Sequence, residues 1–358
     1  MLQFITKRLG YGFLVLFGVV SLVFFLFNIL PGDAARMSLG QRADEKSVEI
    51  IKRDLGLDKP LFIQYLYYLN DLSPISFHSL SKENGRYLDS TKYTSYSKIL
   101  NIGNEVVVIK KPYLRRSYQS KRQVSDILSQ AFPNTILLAF VSMLFAFVVG
   151  VCLGSLSAIY KDSWFDKLNL STIVLGMSLP SFFAAIIFAW IFAYLLSDYT
   201  GLSMFGSLYS VDSFGRGEYL DLKNIILPAF TLGIRPLAVI SELTKTSLLD
   251  VFSQDYIRTA KSKGLSKIKI LFNHSLKNAM NPLVTSISGW FASLLAGAVF
   301  VEYIFDWKGV GVTIVDGLEK YDFPVVMGAL LVICLMLVLI NIITDILYAF
   351  LDPRIRLK

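Results

Sequence analysis

The chain reads as an all-α polytopic membrane protein. Six transmembrane helices carry a polar helix pair on one aqueous side and a polar insert, after the first helix, on the other. Three observations predict this. Of the 358 residues 54% are hydrophobic and mean hydropathy is +0.55, too apolar for a soluble globular chain. The apolar residues gather in long runs, each close to the roughly 20 residues a helix needs to cross a bilayer. The short polar pieces between the runs segregate charge by sign.

The first run, Leu9–Leu30, follows Lys7 and Arg8. It is too long for the apolar part of a signal peptide, and no small-x-small cleavage site follows, so it reads as a retained helix. Leu30-Pro31-Gly32-Asp33 is a turn signal. Residues 47–69 then read as helical, broken at Gly56 and Pro60. An insert of about residues 73–114 is rich in Tyr, Ser and Lys, and Glu105–Ile109 within it reads as a strand. Val124–Gln130 predicts a short helix leading into Pro133. The second run, Thr135–Ala158, holds Gly150 and Gly154, a small-xxx-small pair that permits close helix approach. The third, Leu168–Leu196, contains Pro180, which predicts a kink. The fourth, Ile225–Leu249, contains Arg235 and Glu242. Each would cost about 2.5–3.5 kcal/mol unpaired at mid-membrane, so an ion pair or a capped end is expected. Leu283–Val301 and Val325–Leu351 are the fifth and sixth runs.

Charge sets the orientation. With the N-terminus in the cytoplasm, the cytoplasmic pieces are Met1–Arg8, Tyr160–Lys167, the stretch around 253–282 and the tail. The stretch carries Lys245, Arg258, Lys261, Lys263, Lys267, Lys269 and Lys277, and the tail Arg354, Arg356 and Lys358. The last outer loop instead holds Glu302, Asp306, Asp316, Glu319 and Asp322 against Lys308 and Lys320. Short loops thus obey the positive-inside rule, which accounts for the net charge of +8 better than nucleic-acid binding does. The long basic insert is no exception, because long loops translocate largely regardless of charge.

Ser253–Pro282 is the polar segment between two apolar runs. Ser253 is placed to cap a helix, with Asp255 in the first turn where a carboxylate suits the dipole. Gly264 is placed to stop that helix. Ser266 can cap a second helix, in which Ile268, Leu271, Phe272, Ser275 and Ala279 share one stripe, and Pro282 ends it. The product is a helix–elbow–helix.

Catalytic signatures are missing. Gly201–Ser207, the nearest string to a phosphate loop, lacks the lysine, and no HExxH, GxSxG or paired CxxC occurs. Cys152 and Cys334 both lie in apolar runs, which argues against a disulfide framework or thiolate metal site. The two histidines are His78 and His274. No nucleophile constellation surrounds His274, so partner contact or plain exposure is expected there.

The residues also carry a resemblance. Arg258-Thr259-Ala260, three residues and Gly264, preceded by Asp255 and Tyr256, resemble the cytoplasmic coupling ("EAA") loop of ABC-transporter permeases in its peptide/nickel form. Gly56–Leu69 (GLDKPLFIQYLYYL) and Ser178–Phe183 (SLPSFF) are similar to segments of the same family. So are Val301–Leu331, matching at Glu302, Phe305, Gly309, Gly311, Asp322, Pro324, Val325 and Gly328, and the closing Asp345–Arg356 (DILYAFLDPRIR). Lys308 stands where the family usually has proline. The resemblance runs from residue 31 to 356 and lapses in the insert.

It implies a permease subunit of a binding-protein-dependent dipeptide, oligopeptide or nickel importer, in a bacterial inner membrane with both termini cytoplasmic. Residues 1–121 would form an N-terminal part with the insert, and 122–358 the transport core. Implied partners are a second, related permease in a heterodimer, two ATPase subunits and an extracytoplasmic substrate-binding protein, besides membrane lipid and no nucleic acid. The chain itself would be non-catalytic and bind no cofactor, ATP and Mg residing on the ATPases. Asp255, Arg258, Thr259, Ala260, Gly264 and His274 would form the coupling site. The alternative is a stand-alone secondary transporter or channel, which needs inverted repeats or intramembrane ion-coupling charges.

Overall fold

Helices dominate the computed structural model, which describes residues 2–29, 58–81, 86–89, 92–93, 95–211 and 217–351. The turn at Leu30–Asp33, the helical start at residues 47–57 and the closing 352–356 lie outside those residues. Among the described residues four helices are long and apolar enough to cross a membrane, and six spans result if each of two bent helix pairs counts as one. The chain gathers into two compact units, Leu2–Gln130 with Thr313–Leu335, and Ala131–Val312 with Met336–Lys358.

The first unit holds α1 (Leu2–Ile29) and α2 (Leu61–Leu72). Phe24 packs against the rings of Tyr65 and Tyr68, 5.2 and 5.4 Å between centroids, and Met327 and Leu331 complete that core. The insert folds into a three-stranded antiparallel sheet of β1 (Ile75–Ser79), β2 (Tyr96–Ile102) and β3 (Glu105–Lys110), in the order β1-β3-β2. Only β3 is legible in the sequence, because its Val106, Val108 and Lys110 alternate inward while β2 is exposed almost throughout. Behind the sheet lies a buried polar knot. Lys110 Nζ donates to the Asp71 carbonyl at 2.5 Å, and the Tyr93 hydroxyl donates to Asp71 Oδ1 at 2.7 Å. His78 stacks edge-on against Tyr93, with Nε2 3.0 Å from Ser76 Oγ.

The second unit is the helical core. The third apolar run is not one kinked rod. It divides into α4 (Trp164–Ser178) and α5 (Ser181–Phe188), the latter running into a π-helical turn (Ala189–Leu195), and the two axes meet at 112°. The break falls at the proline. Leu179 is extended (φ −77°, ψ 128°), the conformation favoured before a proline, and Pro180 opens α5. Pro133 has the opposite outcome. Val124–Gln130 is no separate helix but the first turns of α3 (Val124–Ile159), and Pro133 sits inside it, costing one ladder bond while the rest continue. Next comes a small hairpin of β4 (Tyr209–Val211) and β5 (Glu218–Leu220), then α6 (Ile226–Phe252). Of the four long helices, the one holding α6 is the most enclosed, with 61% of its most apolar stretch buried against 17–33% for the other three. α3 approaches α6 where a Cβ on Gly150 would touch Ile240 Cγ2 and Leu237 O at 3.0 Å, and one on Gly154 would collide with the Ser241 carbonyl. The expected close approach is therefore realised, with α6 as the partner.

Burial and the neighbouring Lys110 hold the His78 imidazole below its ordinary value of 6.5. The unfolded chain therefore takes up the proton first as pH falls through 6.5, so the sheet loses stability on acidification. Hydrogen-exchange protection at Val106 and Val108 is expected to drop between about pH 7 and about pH 5, and His78→Phe to flatten that dependence. Equal pH profiles in the two proteins would refute it.

Candidate functional site

The stretch from Ser253 to Pro282 forms α7 (Asp255–Ser262), α8 (Lys267–Ile270), a π-helical turn (Leu271–Ser275) and α9 (Leu276–Ala279). Ser253 does not cap α7. It ends α6 in helical geometry, and Gln254 takes the N-cap position without a side-chain bond. Gly264 makes the elbow at φ +76°. The Gly264 amide donates to the Lys261 carbonyl at 3.0 Å and the Leu265 amide to the Ala260 carbonyl at 3.4 Å, the paired bonds of a Schellman turn. The hydrophobic contact that accompanies such turns is also present, with Leu265 packed on Ile257, Ala260 and Ile270. Ser266 caps α8 as expected, accepting from the Lys269 amide at 3.4 Å.

The predicted apolar stripe is only half realised. Leu271, Ser275 and Ala279 are buried, but Ile268 and Phe272 are 67% and 63% exposed, and Ile270 turns inward instead. The π-helical turn is the reason. One extra residue per turn rotates the helix beyond it, and the Ser275 hydroxyl bonds the Ile270 carbonyl five residues back, at 3.1 Å. Pro282 does not end this helix. It stands in the first turn of α10 (Asn281–Gly297), where its missing N–H costs nothing.

Of the predicted site residues, Asp255 and Arg258 lie on the open face with side chains 95% and 76% exposed, 3.4 Å apart. The Thr259 hydroxyl bonds the Asp255 carbonyl at 3.1 Å. Ala260 is buried beneath the elbow, and Gly264 makes the turn. His274 is half-buried on the π-helical turn, and its carbonyl accepts from Asn278, which also bonds the Tyr256 hydroxyl and so ties α9 to α7. Asp255, Arg258 and Thr259 thus share one helix, and His274 belongs to the other arm.

The elbow is seated on the core. Leu271 and Ala279 pack against Ala158 of α3 and Leu248 of α6. Just above, Lys245 of α6 meets Asp166 of α4 at 2.7 Å, both largely buried. Asn169 donates to Ser157 of α3 at 2.8 Å and to Ser241 of α6 at 3.1 Å. Three helices are therefore clamped where the elbow departs. Sequence reasoning missed Asp166, Asn169 and Lys245 as a group. The one signal for them was polar residues spaced along ends of apolar runs, which does not reveal pairing.

Two further features lie deeper. At the α4–α5 bend a cavity of about 200 Å3 has a mostly apolar wall that includes Leu175, Leu179, Phe188 and Ile234, with Thr172, Thr231 and Arg235 at its edge. Arg235 and Glu242 form no ion pair among the described residues, contrary to expectation, and Glu242 Oε2 is buried without a hydrogen-bond partner there. Glu302, fully buried in α11 (Val299–Phe305), accepts from Thr135 Oγ1 at 2.7 Å and from the Gly311 amide at 2.7 Å. The turn after it needs no proline at 308, because Asp306 takes the left-handed conformation and the Trp307 indole bonds the Asn134 carbonyl at 3.0 Å.

This architecture was compared with known proteins. The binding-protein-dependent transport system inner membrane component family matches residues 150–357, and the N-terminal part of such membrane components matches residues 1–79. The chain belongs to this family. It is 33% identical over 374 residues to the di/tripeptide transport system permease protein DppB of Pseudomonas aeruginosa, covering 99% of both chains. It is 33% identical over 358 residues to the glutathione transport system permease protein GsiC of Escherichia coli K12, covering all of both. Among solved structures, the MetNI methionine ABC transporter in an inward-facing conformation superposes with a TM-score of 0.50 at 16% identity, covering 64% of this chain and 97% of that one. That likeness shows a shared fold over the covered part of the chain.

Lys245→Met leaves the Asp166 carboxylate buried without its cation, and breaking a buried pair from one side is the costly way to remove it. Purified protein carrying Lys245→Met is expected to unfold at a lower temperature than the double variant Asp166→Asn/Lys245→Met. The reverse order would show that the pair contributes nothing.

Proposed function

We propose that this chain is a transmembrane subunit of an ATP-driven importer for dipeptides or oligopeptides, or a related small solute such as a nickel chelate. It lines the translocation pathway and is worked by separate ATPase subunits. Family membership over the whole length supports the reading. So does the stretch 253–282, a stiff elbow that combines a lysine-rich surface with two exposed large apolar side chains, Ile268 and Phe272. Apolar side chains of that size, displayed beside charge, suit a protein partner better than water.

In this reading the chain is not an enzyme and binds no cofactor. ATP and Mg belong to two partner ATPases, a second related permease completes a heterodimer, and a binding protein delivers solute from outside. The chain sits in a bacterial inner membrane with both termini in the cytoplasm. Residues 122–358 form the transport core and 1–121 the N-terminal part, whose insert offers contact surface for the binding protein. Asp255, Arg258, Thr259 and His274 face the ATPase, while Ala260 and Gly264 keep the elbow rigid. ATP binding closes the ATPases, the elbow moves as one body with α3, α4 and α6, and the pathway changes from inward-facing to outward-facing.

Uptake by vesicles holding the complete complex is expected to require the ATPases and ATP. Gradient-driven uptake by this chain alone would refute the importer reading in favour of a secondary transporter. Gly264→Pro, which cannot adopt φ +76°, and Ala260→Leu, which overfills the elbow, should abolish ATP-driven uptake while the protein still inserts. Normal uptake by both variants would remove the coupling assignment.

A further inference from the structure

Between the insert and the first turns of α3 lies a pocket of about 330 Å3. Lys92 and Tyr93, ahead of β2, and Lys111 and Tyr113, just after β3, form one wall, and Ser125 and Asp126 of α3 the other. The volume is at the low end for cavities that hold small ligands, so it has room for one or two side chains. Its walls are fixed in place. Asp71 holds both tyrosines, accepting from the Tyr93 hydroxyl at 2.7 Å and, through its carbonyl, from the Tyr113 amide at 2.9 Å. The Val124 amide donates to the Arg115 carbonyl at 3.1 Å and ties the start of α3 to the segment that leaves the sheet.

Positive charge prevails in and around it. Lys92 and Lys111 form no ion pair among the described residues, and Lys92 Nζ stands 5.8 Å from the centre of the Tyr113 ring. Asp126 is the one carboxylate among the lining residues. It sits in the first turn of α3, where the helix dipole favours an anion. Across residues 110–130 Lys110, Lys111, Arg115, Arg116, Lys121 and Arg122 stand against Asp126 alone. Such an excess of one sign attracts a partner of the other and steers its approach.

The length of α3 separates a lipid headgroup from a soluble partner. Its apolar run begins at Thr135, and Ser125 lies ten residues earlier on the same helix, a rise of about 15 Å. Headgroups extend only about 5–8 Å beyond the hydrocarbon on each side. The pocket therefore opens past the headgroups, where the anion that meets it comes from water. We propose that this pocket is a socket for an acidic side chain of the extracytoplasmic binding protein, its carboxylate held between Lys92 and Lys111. The inference rests on the importer reading. It narrows the contact surface of the insert to one pocket and the partner to a binding protein that presents an Asp or Glu there.

The test uses the complete importer in nanodiscs and its own purified binding protein, with affinity measured at about 0.05 and about 0.2 M salt. Lys92→Gln/Lys111→Gln is expected to weaken binding about tenfold at the lower salt, and less at the higher, where exposed charges are screened. Asp126→Asn removes the opposing carboxylate and should tighten binding. Lys98→Gln, on exposed β2 outside the pocket, should stay within about twofold of wild type. A water-soluble carbodiimide, which joins an amine to a touching carboxylate, should link Lys92 or Lys111 of the wild type to an Asp or Glu of the binding protein. Wild-type affinity in the double variant overturns the socket, also where that variant carries less phosphatidylglycerol through purification, which would give the pocket to a headgroup. So does an equal loss in Lys98→Gln, which would make the attraction a property of the whole insert. Weaker binding by Asp126→Asn, or cross-links at lysines outside the pocket alone, overturn it as well. A wild-type importer that neither binds the protein nor takes up solute with ATP would instead overturn the importer reading on which the socket rests.

Discussion

The core unit depends on the close packing of α3 and α6 at Gly154. A single methyl group there would drive into the Ser241 carbonyl, so the two helices approach to backbone contact. Everything polar nearby follows from that approach. Ser157 and Ser241 come near enough to share Asn169, and Lys245 reaches Asp166 on α4. In a bilayer, where helices gain little from apolar contact alone, small residues and interhelical hydrogen bonds supply the specificity. The clamp lies at the end of α6 from which the elbow departs, so a force on α7–α9 is borne by three helices and not by one connection.

The elbow illustrates a second constraint. A short helix pair of charged residues has little intrinsic stability. Here it gains rigidity from a Schellman turn at Gly264, a buried cluster of Ile257, Ala260, Leu265 and Ile270, and the Asn278–Tyr256 bond across the arms. The π-helical turn at Leu271–Ser275 lies where the second arm meets the core. It points Leu271 and Ser275 inward and leaves Ile268 and Phe272 to the outside. One inserted residue thus serves both seating and display.

The insert obeys different rules from the helices. Its sheet is held by β3, whose inward residues are Val106, Val108 and Lys110, and by the Asp71–Tyr93–Lys110 knot. Burial pulls the Lys110 ammonium down to about 8, with Asp71 opposing the shift. A buried lysine is accommodated because it donates to the Asp71 carbonyl and because the Tyr93 ring lies 4.8 Å away.

Composition and periodicity alone determined the class of the protein, the six apolar runs, the sign of the loops, the cap at Ser266 and the stop at Gly264. Each of these depends on a residue and its neighbours within a turn or two, or on the length of a run against bilayer thickness. Tertiary structure decided the rest. Pro133 and Pro180 look alike in sequence, yet one continues a helix and the other breaks a span by 112°, because surrounding packing decides whether the lost bond is absorbed or becomes a corner. The stripe expected in the second arm was rotated by a π-helical turn, and Ser253 and Pro282 each serve the neighbouring helix. The pairing of Asp166 with Lys245, and the absence of such a partner for Arg235 among the described residues, join or separate residues far apart along the chain. Local sequence holds no information about distances of that kind.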